Sequence, residues 1–150
     1  MASVNHSTKR YIYLADDDSD DRDFFADALL ETDPDVILKQ FPDGMYLMEA
    51  LFALSTAELP DFIFLDINMP RKSGFECLEE IRKHENLKEV SAIMFSTSSD
   101  PGNMQTAMEL GAAFYAVKPS SYEKLKSLLE EVLGMDLIGA VEEKKKFLLL

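Results

Sequence analysis

Short apolar runs alternate along the chain with longer segments in which apolar positions recur every three or four residues. YIYLA (11–15), VILKQF (36–41), DFIFLD (61–66), SAIMFS (91–96) and AAFYAV (112–117) are rich in β-branched and aromatic residues, as strands buried on both faces are. Between them, Phe25, Ala28, Leu29 and Thr32 fall at i, i+3, i+4 and i+7, the spacing of one helical face. Leu47, Ala50, Leu51 and Leu54 repeat that spacing, as do Met104, Ala107, Met108 and Gly111. Leu125, Leu128, Leu129 and Val132 do so again, while Phe75, Leu78 and Ile81 form a weaker stripe. Met104 and Met108 read as core fillers. Pro34 ends the first helix, Asp100-Pro101 opens the fourth, and Ser120 with Glu123 reads as a capping box for the fifth. The pattern predicts an α/β protein of (βα)5 type, a doubly wound parallel five-stranded sheet covered by helices on both faces.

In such sheets ligands bind at the carboxyl ends of the strands. The first strand ends at Asp16-Asp17, the third at Asp66, the fourth at Ser96-Thr97 and the fifth at Lys118-Pro119. The second ends in Phe41-Pro42 and offers no comparable group. With strands one and three adjacent, Asp16, Asp17 and Asp66 meet in one cleft, and Ser96 and Lys118 form its far wall. Carboxylates ~4 Å apart repel by roughly 4 kcal/mol per pair at an effective dielectric of about 20. A cluster of three therefore calls for a cation. All-oxygen ligation by a few carboxylates suits Mg2+, which keeps several waters and commonly shares its shell with a phosphate. Asp18, Asp20, Asp21 and Asp23 lie past the strand end, where Asp18 or Ser19 can cap the first helix and acids favour its dipole.

The chain has 150 residues, 47% of them hydrophobic, which suits one compact domain. We divide it into an N-terminal tail (1–9), a domain (10–134) and a C-terminal tail (135–150). The 28 acidic residues against 15 basic ones give a formal charge of −13, which argues against nucleic-acid binding. The N-terminus lacks the apolar core of a signal peptide, and no apolar run reaches the ~18 residues of a membrane span. A cytoplasmic protein without membrane association is expected. Cys77, the lone cysteine, reads as a packing residue, and neither His6 nor His84 belongs to a metal pattern. The final segment GMDLIGAVEEKKKFLLL leaves no room for an effector domain, so output is expected to be non-covalent. Its apolar end, Phe147 to Leu150, calls for docking on the chain itself or on a second copy.

ADDDSDD after the first strand, FIFLDINMPRKSGFE, MFSTSS and AVKPSS together resemble the receiver domain of two-component response regulators, over residues ~9–134. The short form with TSSDP after the fourth strand is similar to stand-alone, CheY-like receivers, including those paired with bacterial phytochromes. The resemblance implies a flavodoxin-like strand order 2-1-3-4-5. It implies that Asp66 accepts a phosphoryl group from a sensor histidine kinase or a histidine phosphotransfer protein. Asp17 would bind Mg2+ directly and Asp16 through water, with Asp66 and the backbone carbonyl of Asn68 completing the protein ligands. Lys118 and Ser96 would hold the phosphoryl oxygens, and Tyr115 would turn inward as Ser96 moves. Pro119 would follow a cis peptide bond, and Gly74 would open the third helix at a close backbone approach. Thr97 departs from the smaller residue usual in the family, which narrows access to the phosphoryl group.

Its chemistry would be self-phosphorylation and self-dephosphorylation rather than turnover of a separate substrate. Two other classes are a Mg2+-dependent phosphohydrolase with an aspartate nucleophile and a receiver-like scaffold. The first needs an acid two residues after the nucleophile, where this chain has Asn68. The second is opposed by the complete acid, hydroxyl and lysine set. Signalling would pass to a downstream protein target, or to a homodimer formed through residues ~100–134 with help from the tail.

Overall fold

Residues that alternate along each central strand face opposite sides of the sheet, so a strand apolar at every position must be covered twice. The computed structural model, which describes residues 9–135 and 147–149, shows this arrangement. The elements are β1 (Tyr11–Ala15), α1 (Ser19–Thr32), β2 (Ile37–Phe41), α2 (Gly44–Phe52), a 3-10 turn (Thr56–Glu58), β3 (Phe62–Leu65) and α3 (Gly74–Lys83). They continue as β4 (Ser91–Ser96), α4 (Pro101–Glu109), β5 (Phe114–Val117), α5 (Tyr122–Leu133) and β6 (Leu148–Leu149). All neighbouring strands are parallel.

One core packs beneath α1 and α5. Ile12, Leu14, Phe62, Phe64, Ile93, Phe95, Phe114 and Ala116 enter it from the sheet, and Phe25, Leu125 and Leu129 from the helices. Phe25, Phe64 and Phe95 stack edge to face there, with centroids 5.0 to 5.8 Å apart. The intervening strand residues Tyr13, Ala15, Ile63, Leu65, Ala92, Met94 and Tyr115 face the other core, beneath α2, α3 and α4. Period-two alternation thus assigns each side chain to one layer.

The sheet order is β2-β1-β3-β4-β5-β6, so the expected five-strand order holds and a sixth strand extends it. Leu148 and Leu149 pair in parallel with Tyr115 and Ala116. The apolar tail docks on its own chain because β5 would otherwise be an open edge. Leu149 is fully buried there.

Three smaller expectations are corrected. Met108 is 51% exposed, off the face on which α4 buries Ala107, whereas Met104 is half-buried and packs against the core as expected. The cap of α5 is Ser121, whose hydroxyl accepts from Lys124 N, so the helix begins one residue later than a Ser120–Glu123 box requires. Lys39 and Gln40 of β2 are exposed, as befits the opposite edge of the sheet. His6 and Leu150 lie outside the described residues.

Candidate functional site

Backbone hydrogen bonds hold the strand-end residues in register. Asp16 N donates to Phe41 O (3.1 Å), Asp66 N to Ala15 O (3.0 Å) and Lys118 N to Ser96 O (2.8 Å). The ladder therefore continues one residue past each strand and fixes where the functional side chains emerge. Oxygens of Asp16, Asp17 and Asp66 all lie within 4.8 Å of one another. Asp16 is buried, Asp66 half-buried and Asp17 open to solvent. Among the described residues this is the one group of three His, Cys, Asp or Glu side chains close enough to share a metal. Its donors are all carboxylate oxygens, with one exposed carboxylate where waters can complete a shell, which fits Mg2+.

Lys118 reaches into the same cluster. Its Nζ lies 2.7 Å from Asp16 Oδ2, 2.9 Å from Asp21 Oδ2 and 3.2 Å from Asp66 Oδ2, with the side chain 10% exposed. The ammonium also lies 5.8 Å from the centre of the Phe95 ring. Asp21 therefore does more than favour the dipole of α1. It is the acid that sequence reasoning left out, because its contact with Lys118 crosses from α1 to the end of β5. Asp18 caps α1 by accepting from Asp20 N and Asp21 N, and its own N–H donates to Asp16 Oδ1. Arg22 donates to the carbonyl of Asp16 (2.7 Å), tying the first turn of α1 to the strand end.

Burial is the largest influence on Asp66 and pushes its carboxyl up to about 6; Lys118 opposes the rise and the charge of Asp16 adds to it. For Lys118, burial favours the neutral amine, but hydrogen bonds to Asp16 and Asp21 and the charge of Asp66 outweigh it. The ammonium is thus held above its ordinary range. A buried cation stands beside an acid that is readily protonated, and both respond to any added charge.

Ser96 is 2% exposed, and its Oγ accepts from Ser98 N (3.1 Å). The Tyr115 ring is fully buried and its hydroxyl donates to Ser98 O (2.8 Å). Ser98, unremarked in the sequence, joins Ser96 to Tyr115. Thr97 is exposed and lines a cavity of about 170 Å³ with Asp21, Phe24, Phe95, Lys118 and Pro119. The expected cis bond before Pro119 is not found: among the described residues the peptide bonds are trans, the ordinary form even before proline.

The loop between β3 and α3 carries Asn68, which is exposed. Gly74 N donates to Ile67 O (2.8 Å), and a Cβ on Gly74 would stand 2.1 Å from Asp66 O. Only glycine permits that approach. Ser73 and Glu76 cap α3 reciprocally. Arg71, on this loop, bonds Asp43, one residue beyond the strand end judged empty. Cys77 is fully buried, chiefly by apolar surroundings that raise its thiol to about 12, so it packs. His84 stacks on Phe52, away from the cluster. No helix among the described residues is long and apolar enough to cross a membrane.

Comparison with known proteins matches residues 12–130 to the response regulator receiver domain. A chemotaxis protein CheY homolog of Campylobacter jejuni is 28% identical over 123 residues, 82% of this chain and 92% of that one. The "Probable transcriptional regulator ycf27" of Guillardia theta is 32% identical over 133 residues, 87% of this chain but 48% of the relative. The chain thus spans about half the length of that relative. The phosphorylated cyanobacterial phytochrome response regulator RcpA superposes with a TM-score of 0.76 at 26% identity, covering 83% of this chain and 91% of that one. With three strand ends bringing acids and a lysine into one cleft of a CheY-like sheet, and residues 12–130 matching the family, this chain belongs to the response regulator receiver domain family.

Proposed function

We propose that this protein is a phosphorylation switch, with Asp66 as the acceptor. The observation that carries this reading is Lys118 Nζ bridging the buried Asp16 and the half-buried Asp66, with Asp17 open to solvent. Asp16, Asp17, Asp66 and the backbone carbonyl of Asn68 would hold Mg2+, which when bound would supply positive charge to offset that of the phosphoryl oxygens.

The ionised Asp66 oxygen attacks the phosphorus of a phosphohistidine presented by a kinase or phosphotransfer protein. An O–P bond forms, the N–P bond breaks, and the leaving imidazole takes a proton. Lys118 exchanges part of its hold on the carboxylates for the incoming phosphoryl oxygens, and Ser96 turns its hydroxyl toward them. The acyl phosphate is reactive enough for water to hydrolyse it, which resets the switch. No separate substrate is turned over. The solved structure of phosphorylated RcpA supports phosphorylation of this fold.

Output follows from the bond between Ser98 N and Ser96 Oγ. When Ser96 turns, that bond is lost, and the carbonyl of Ser98 that holds the Tyr115 hydroxyl shifts with its loop. The surface of α4, β5 and α5 then changes and binds a protein target or a second copy.

Incubation with a phosphorylated histidine kinase, or with acetyl phosphate and Mg2+, should add one phosphoryl group, read by intact mass. Asp66→Asn should take none, and chelating the Mg2+ should stop the reaction. Phosphorylation undiminished in Asp66→Asn would overturn the assignment.

A further inference from the structure

We infer that Arg71 and Asp43 are a positioning pair: they hold the β3–α3 loop closed beside the carboxylate cluster, so that the Asn68 backbone stays available to the cation. This rests on the reading of the cleft as a Mg2+ site. The loop is pinned at its base by Gly74 N on Ile67 O, and Ile67 and Met69 are buried beneath it. Asn68, Pro70 and Arg71 face outward. The far end is held by other contacts, those of Lys72 with Glu80 of α3 and those of Arg71.

The far end carries a backbone that its residue disfavours. Arg71 has φ 69°, the one positive value at a non-glycine position among the described residues. A side chain with a Cβ enters that region only when its surroundings compensate. Here its Nε donates to Asp43 Oδ2 (3.1 Å), its second terminal nitrogen lies 3.5 Å from Asp43 Oδ1, and its guanidinium lies 4.8 Å from the Tyr46 ring centre.

Asp43 is itself fixed. It is 7% exposed, and its Oδ1 caps α2 by accepting from Tyr46 N (2.9 Å). Gly44, next in the chain, is packed so closely that a Cβ would stand 2.4 Å from Lys72 O. One carboxylate therefore both starts α2 and anchors the loop, and the two backbones touch directly beside it. The rigid end of α2 becomes the wall against which the loop is set.

Arg71 is half-exposed, and pairs of that kind contribute little to global stability. A loop, however, opens locally at far smaller cost than the whole domain. Apparent cation affinity falls with the fraction of molecules in the closed form. The pair should therefore act on Mg2+ binding while leaving unfolding almost untouched, which a merely structural ion pair would not do.

The test titrates Mg2+ into the full-length chain by calorimetry, alongside urea melts. Arg71→Ala and Asp43→Asn should each weaken Mg2+ binding about three- to tenfold. That is less than the ~10- to 100-fold typical of outer groups that bond a metal ligand directly. The double variant should be no weaker than the worse single one. Asn still caps a helix, so Asp43→Asn should keep its urea midpoint. Arg71→Lys should restore part of the affinity, and Arg71→Gly should not, although glycine suits φ 69°. Wild-type affinity in Arg71→Ala and Asp43→Asn, or in Arg71→Gly, overturns the inference. If the unmodified chain binds no Mg2+, the metal reading fails instead. Hydrogen exchange of amides 68–72 then decides the pair alone, with faster exchange in Arg71→Ala expected and unchanged exchange overturning it.

Discussion

Asp66 is where burial and charge pull in opposite directions, and that conflict is measurable. Its carboxyl is raised from 3.8 to about 6, first by burial and then by Asp16, against Lys118. The folded state therefore binds this proton more tightly than the unfolded chain, so the stabilising contribution is complete below 3.8 and is lost as pH rises through about 6. Asp66→Asn does not titrate. In metal-free protein its stability advantage over the unmodified chain should grow across that window, and Mg2+ should reduce the advantage by occupying the cluster. Urea melts at a series of pH values read this directly, and a constant difference would contradict it. At Gly74 the conflict is steric: a Cβ 2.1 Å from Asp66 O forces the loop or the helix to move. Gly74→Ala should cost ~1 to 3 kcal/mol, in the range of overpacked cores, and should weaken Mg2+ binding as well. An unchanged urea midpoint would show that the backbone yields freely there. The meeting of Asp16, Asp17, Asp66 and Lys118 was legible in the sequence because a parallel sheet delivers every strand end to one side. Asp21 and the Arg71–Asp43 pair were not. Each depends on a side chain reaching across to another element, and position along one strand or helix carries no record of that reach.

At the scale of elements, the period-two strands and 3.6-residue stripes were legible because burial on both faces leaves little freedom in where apolar residues stand. α4 was legible only as a helix. Its stripe suggested a broad buried face, yet it buries Ala107 fully, packs Met104 against the core only in part and leaves Met108 outside. β6 was legible only as an apolar end in need of cover, since no local period marks a strand of two residues. Its contact is specific nonetheless: Tyr115 N donates to Phe147 O (3.0 Å), and Leu148 stands opposite Tyr115. In a parallel strand alternate amides point to opposite neighbours, so the Tyr115 amide depends on β6. Truncation after residue 140 should speed hydrogen exchange at Tyr115 far more than at Phe114 or Ala116. Equal protection at Tyr115 in both forms would mean that β6 does not stay docked in solution.

The whole molecule combines a net charge of −13, which drives copies apart, with an apolar tail laid along one edge of the sheet. At physiological ionic strength screening acts over ~8 Å, so the repulsion is confined to short range, where specific packing has to offset it. The route from the acid cluster to that edge is short. Ser96 Oγ holds Ser98 N, Ser98 O holds the Tyr115 hydroxyl, and Tyr115 N holds the tail. On the proposed reading, drawing Ser96 onto a phosphoryl group would break the first bond and release the Ser98 loop that holds Tyr115. The exposed Met108 on α4 is the apolar surface available on that side. A beryllofluoride mimic with Mg2+ should therefore change the self-association of the full-length chain. The coupling should be of the usual allosteric size, ~1 to 3 kcal/mol or about 5- to 150-fold in affinity. The form ending at residue 140 lacks the last bond of the route, and its response should be smaller. Sedimentation of both forms, with and without the mimic, measures all of this in one experiment. Identical monomers in the four samples would eliminate dimerisation as the output, and the same face would then have to act on a different protein.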